Sequence, residues 1–238
     1  MDRLAVLRVL RGKFTERTLR TFLAIILAAI AVLLGISWAL HELSNPGKPY
    51  NILADQISTL GNPKQNPNGY YLFSVALWVL SFAAVPLLRF YRRALPPLQA
   101  RVTGVFVVFF AIGIPGTALV GFFPSSLDST VHLVVAALAF GGIGLAFFLS
   151  GFGIITSKIR HRNDSIPIAL VVPFVVFNCF VMFGIAVVGY TAAAGIFNDV
   201  EGTWLSFSLW EWLLLVAICA MCVATGLPLA RMEANARV

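Results

Sequence analysis

Six apolar stretches, each about as long as the roughly 30 Å hydrocarbon core of a bilayer demands, recur along this chain at 19–41, 70–90, 102–123, 131–156, 166–190 and 204–227. In lipid every backbone polar group must be satisfied within the segment, so each stretch is predicted to be a membrane-crossing α-helix. Composition leaves no other solvent: of 238 residues 59% are hydrophobic and 11% charged, and the mean hydropathy is +0.90, too apolar for a water-soluble core. The expected fold is an all-α integral membrane protein, a six-transmembrane-helix bundle. The expected division is a basic N-terminal segment at 1–18, the helical domain at 19–227 and a tail at 228–238. No linker rich in Pro, Gly or Ser separates further modules.

Charge orients the bundle. Fifteen of the seventeen Lys and Arg residues fall on one side: Arg3, Arg8, Arg11, Lys13, Arg17 and Arg20 before the first span, then Arg89, Arg92, Arg93 and Arg101, then Lys158, Arg160 and Arg162, then Arg231 and Arg237. Only Lys48 and Lys64 fall on the other. Basic short loops stay in the cytoplasm, so both termini are expected there, with the protein multi-pass in the cell membrane. The net charge of +7 fits membrane lipids with anionic headgroups at the basic face rather than nucleic acid. A small-x-small site at Ser37-Trp38-Ala39 formally suits signal cleavage, but the apolar run before it exceeds a usual signal core, and the first segment is expected to be retained. No oligomer is predicted.

Cys179, Cys219 and Cys222 all fall inside spans, where they read as small packing residues. Spans three and four carry Gly113, Gly116, Gly121, Gly141, Gly142, Gly144, Gly151 and Gly153, which lets helix backbones approach closely. Pro86, Pro115 and Pro173 can kink their helices. The first outer loop, 42–69, is the longest connection. Within it Asn51 can cap and Gly61 can end a short amphipathic helix, with Leu53, Ile57 and Leu60 on one face and Asp55, Ser58 and Thr59 on the other.

Chemistry has few residues to draw on. Glu211 lies seven positions beyond Trp204, about 10 Å down a helix entering from the outer side. A carboxylic acid near the bilayer centre costs about 2.5–3.5 kcal/mol, so Glu211 must face the interior, carry a proton or find a partner; the flanking Trp210 and Trp212 also suit an aromatic interfacial belt. His132 opens span four after Asp128 and shares the outer side with His41, Glu42, Asp55 and Ser58. A Ser58, His132 and Asp55 or Asp128 triad would be the nucleophilic arrangement, yet no nucleophile elbow surrounds Ser58. His161 is on the cytoplasmic side, so a zinc shell would need carboxylates beside His41 and His132; no metal and no cofactor are predicted. Asn178, mid-span, must bond across helices or line a cavity. Asn198, Asp199 and Glu201 read as a solvated acidic approach to span six.

The segments Tyr50-Asn51-Ile52-Leu53-Ala54-Asp55-Gln56-Ile57-Ser58-Thr59-Leu60-Gly61 and Gly121-Phe122-Phe123-Pro124, followed by His132, resemble the prokaryotic membrane family of domain of unknown function 998. That family has an Ile-Ser-x-Leu-Gly stretch after its first helix and a Gly-x-Phe-Pro run before a His that begins the fourth. The resemblance covers residues 19 to about 227 and implies a six-span fold grouped with eukaryotic Frag, DRAM and Sfk-type proteins, some linked to lipid distribution. It supplies no catalytic residues, but gives weight to Asp55, Ser58, Gly61, Pro124 and His132. The combined expectation is an outer-half polar pocket formed by Asp55, Ser58, His132 and Glu211, with Asp128 and Asn178 as further candidates, that accepts a lipid or other amphipathic molecule. A membrane lipid hydrolase at the same place, a proton-coupled carrier using Glu211 and a purely structural partner protein are the alternatives.

Overall fold

The computed structural model describes residues 3–95, 100–160, 166–196, 199–200 and 202–235. Of the residues singled out above, His161, Arg162, Asn198, Glu201 and Arg237 lie outside the described residues. The chain forms α1 (Arg3–Leu10), α2 (Glu16–Ser44), α3 (Tyr70–Ala94), α4 (Ala100–Phe122), α5 (Ser129–Ala136), α6 (Gly142–Arg160), α7 (Ile168–Ala193) and α8 (Phe207–Asn235). A π-helical turn, Ala137–Gly141, joins α5 to α6, so the two form one span and the six predicted crossings are all present. Large apolar side chains point outward along them, among them Phe82 at 76% and Ile185 at 59% exposure, as expected where lipid is the solvent.

The basic end is tightly tied. Thr15 caps α2, its side chain accepting from the Thr18 amide at 3.2 Å while its own amide bonds the Thr18 hydroxyl at 2.7 Å, a reciprocal pair that fixes where the helix starts. Between α1 and α2 the chain turns at Gly12 with φ of +70°, where a Cβ would lie 2.6 Å from the Phe90 backbone nitrogen; no other residue fits. Arg93 donates to the Gly12 carbonyl at 2.6 Å and forks onto Glu233 at 2.6 and 3.0 Å, the bidentate geometry that favours Arg. Arg89 bonds the Leu10 carbonyl at 2.5 Å and Arg231 reaches Glu16 at 2.7 Å. The N-terminal basic segment therefore includes a short helix held against α3, which charge counting alone did not anticipate.

Beneath this lies an aromatic core. Tyr91 is 1% exposed; it packs against Phe90, Phe106, Phe110 and Phe147, and its hydroxyl bonds that of Thr225 at 2.8 Å. Lipid tails are as apolar as these rings, so helices associate here through close packing and buried hydrogen bonds. The closest approach is between α4 and the π turn with the start of α6. Cβ atoms at Gly113, Gly116 and Gly142 would lie within 2.5 Å of atoms across the interface. Gly141 and Gly144 face open space, so only part of the glycine-rich stretch acts as predicted. Pro86, Pro115 and Pro173 sit inside helices, as does Pro228, and Ser81 and Trp78 of α3 bond the Ile114 and Ala118 carbonyls on either side of Pro115.

Overpacking costs about 1–3 kcal/mol, so Gly142→Val is expected to lower the melting temperature of the detergent-solubilised protein measurably. Gly144→Ala, which meets nothing, should leave it unchanged.

Candidate functional site

At the opposite end the loop after α2 folds inward. It is not the amphipathic α-helix that its pattern suggests: residues 52–55 form turns, and the only helical part is a 3-10 turn, Ile57–Gly61, with all five residues buried. Backbone groups of the segment bond outside it, the Ala54 carbonyl to Ser208, the Ile57 amide to Glu211 and the Leu60 carbonyl to Asn66, so the chain follows these partners instead of closing α-helical turns. Ile57 and Leu60 join Tyr50, Phe73, Val120, Val135 and Leu215 in a second apolar cluster. The loop is thus part of the core.

Three tethers run from α8. Glu211 accepts from the Ile57 amide at 3.0 Å through Oε2, Ser208 donates to the Ala54 carbonyl at 3.0 Å, and the Trp212 indole donates to the Tyr50 hydroxyl at 2.9 Å. A fourth bond joins the Gly202 amide, just before the helix, to the Leu53 carbonyl at 2.9 Å. Because Ile57 begins the 3-10 turn, Glu211 satisfies one of the amides that the start of the turn leaves without a backbone partner. From α2, Glu42 accepts from both the Trp38 indole and the Tyr50 amide at 2.9 Å through Oε1. The Tyr50 hydroxyl in turn lies 2.9 Å from the Gln56 carbonyl and 3.1 Å from that of Asp55. Burial, reinforced by the nearby Glu211 and Asp55 carboxylates and opposed by the Trp212 bond, pushes this hydroxyl well above the usual phenol range, so it remains a donor. Asn66 completes the clamp by bonding the Ser37 and Leu60 carbonyls at 3.0 and 2.9 Å.

Two cavities meet under this loop. A small one of about 40 Å³ lies within the bundle, and a larger one of about 590 Å³ forms a lateral groove between α5 with its π turn, α7 and α8. Ser58, His132, Ala136, Phe140 and Glu211 border both. Along α7 the groove runs from Phe180 to Gly189, about 13 Å at the helical rise. Its polar groups gather near the loop, and beyond them its walls are Phe140, Phe180, Val181 and Leu214. Trp210 closes one side, packed against Phe180 and Phe183 of α7. Neither tryptophan beside Glu211 serves as a lipid-facing belt, since Trp212 points to Tyr50 and Trp38.

Three of the four residues expected to converge therefore do so: Ser58, His132 and Glu211. Asp55 does not line either cavity; its carboxylate accepts from the Asn51 amide at 2.8 Å and closes a local turn. Asp128 is the N-cap of α5, accepting from the Thr130 and Val131 amides at 2.8 and 3.0 Å. Short acidic side chains beside free amides satisfy them first. Asn178 lies elsewhere, donating from α7 to the Phe148 carbonyl of α6 at 3.1 Å with its amide seated against Gly151, which is an interhelical bond and not a cavity wall. Glu211 is also shallower than predicted. Trp204 sits in a turn, Ser206 accepts from the Leu209 amide at 3.3 Å, and α8 begins only at Phe207, so Glu211 is about 6 Å down the helix. The Ser206 cap is the sequence signal that would have corrected this. Gln56, which borders the groove and accepts from the Ser58 hydroxyl at 3.4 Å, was missed because α-helical spacing placed it off the polar face.

These bonds leave no assembled triad. The Ser58 hydroxyl points to Gln56, and His132 holds the Phe123 carbonyl through Nδ1 at 2.7 Å. Among the described residues no three His, Cys, Asp or Glu side chains gather closely enough to hold a metal. The geometry suits binding: a polar end with free acceptor positions and an apolar trough open to the side.

Leaving the Ile57 amide without an acceptor should cost about 1–3 kcal/mol. Glu211→Ala is expected to accelerate amide hydrogen exchange across residues 50–61, whereas Glu211→Gln, which keeps an acceptor oxygen, should leave most of that protection in place.

No curated protein and no solved structure matches the chain. The profile of the family described as protein of unknown function (DUF998) matches residues 23–228, a stretch that contains every groove-lining residue and both motif segments. The chain is a polytopic membrane protein that belongs to this family.

Proposed function

We propose that this protein binds a lipid or lipid-like amphipathic molecule in the lateral groove, with the head at Ser58, His132 and Glu211 and the tail along α7. The observation that carries the reading is the polarity gradient of the groove: a cavity of about 590 Å³ with polar groups clustered at the loop end and apolar walls beyond. This size and composition match small-molecule sites in general. By the positive-inside bias the basic end faces the cytoplasm and the groove head lies in the outer leaflet of the cell membrane. The exposed Arg8, Arg11, Lys13 and Arg17 suit anionic headgroups at the inner surface. The grouping with six-span proteins, some linked to lipid distribution, that the family resemblance implies points the same way. A hydrolytic role would need Ser58 to turn from Gln56 to His132, and no observation favours that.

Gly189 borders the groove, and a Cβ there meets nothing within 4 Å, so Gly189→Phe adds bulk at the groove without disturbing the bundle. Lipid extraction and mass spectrometry of the purified protein should show a discrete lipid-like species in the wild type that falls several-fold in Gly189→Phe. Equal amounts in both would count against the groove as the site.

A further inference from the structure

The groove also carries information about the head group it accepts. Glu211 uses Oε2 for the Ile57 amide, and its second oxygen has no partner among the described residues. Ser58 gives its hydroxyl hydrogen to Gln56, which leaves the lone pairs of Oγ. His132 must donate through Nδ1, because the Phe123 carbonyl can only accept; in the neutral ring Nε2 is then an acceptor. Three acceptor atoms thus remain at the polar end, one of them on a carboxyl group. Among the described residues no Lys or Arg borders either cavity. The two lysines of this end, Lys48 and Lys64, belong to the loop and line neither. The donors that remain at the groove, the Gln56 amide and the buried, unpartnered Trp210 indole N–H, are neutral, and phosphate recognition relies on charged donors. A phosphate head would bring further acceptor oxygens against the free oxygen of Glu211, Ser58 Oγ and His132 Nε2, with no charged donor lining the groove to hold them.

We propose that the groove selects amphiphiles whose head donates hydrogen bonds and bears no negative charge, with an ammonium group the best fit and a hydroxyl group next, and that it rejects phosphate-headed lipids. This selection rests on the binding role proposed above. The head donates to the free oxygen of Glu211, to Ser58 Oγ and to His132 Nε2, while the tail follows the apolar walls toward Phe180.

Three probes with the same tail, dodecylamine, dodecanol and dodecyl phosphate, test this by native mass spectrometry of the full-length protein in a non-ionic detergent, for the wild type, Gly189→Phe and Glu211→Gln. Glu211→Gln keeps an acceptor for the Ile57 amide, and its melting temperature checks that it is folded. The wild type is expected to retain dodecylamine at least about tenfold better than dodecyl phosphate, with dodecanol between them. Gly189→Phe should lose all adducts, and Glu211→Gln should lose the preference for the amine while still holding dodecanol. Adducts that Gly189→Phe abolishes but that form equally with all three heads, or best with phosphate, would overturn the selection and leave the groove reading standing. Adducts that are absent, or insensitive to Gly189→Phe, would overturn both.

Discussion

A carboxyl group placed in the first turns of a membrane helix has to be answered by something, and here the answer is the backbone of a distant loop. The 3.0 Å bond from the Ile57 amide to Glu211 satisfies an ionisable side chain in a poorly solvated position and supplies the missing partner for a free amide at the start of a 3-10 turn. Around it the Ser208, Trp212 and Gly202 bonds fix the rest of the loop. Because the loop is drawn inward, Ser58 and Gln56 come to border the groove beside His132 and Glu211, which the helices supply.

The two ends of the bundle are built on different terms. At the basic end aromatic rings, glycine contacts and Arg–Glu pairs close the packing. At the other end α5 packs on α4, while α7 packs on α6 and α8, and α5 and α7 separate to form the groove. The π turn lies between these regimes. Its extra residue per turn rotates α5 relative to α6, so Gly142 meets Gly113 on α4 while His132 and Ala136 border the cavities. Packing at the centre and opening near the loop thus follow from one irregularity in one span.

The spans were legible because lipid imposes a length and a polarity that few sequences meet by accident, and the basic end because Lys and Arg crowd there. Ser58, His132 and Glu211 were found from the rarity of polar groups in such a chain. Asp55 and Asp128 lie away from the groove for a local reason: each sits beside unsatisfied amides that it bonds before anything distant can compete. The loop helix misled through periodicity, since a pattern apolar on one face and polar on the other also fits a segment with apolar partners on one side and hydrogen-bond partners on the other. The pairing of Tyr50 with Trp212 is not legible in the sequence, because it depends on α8 meeting a loop some 150 positions away, which no local pattern encodes.

The most direct test is an experimental map of the protein in a lipid nanodisc at a resolution that resolves side chains. It should show residues 57–61 folded beneath the bundle end with the Ile57 amide on Glu211, and a tube of density along α7 whose head touches the free Glu211 oxygen. A loop lifted into the aqueous phase with Glu211 facing acyl chains, or a groove closed by contact between α5 and α7, would contradict the account.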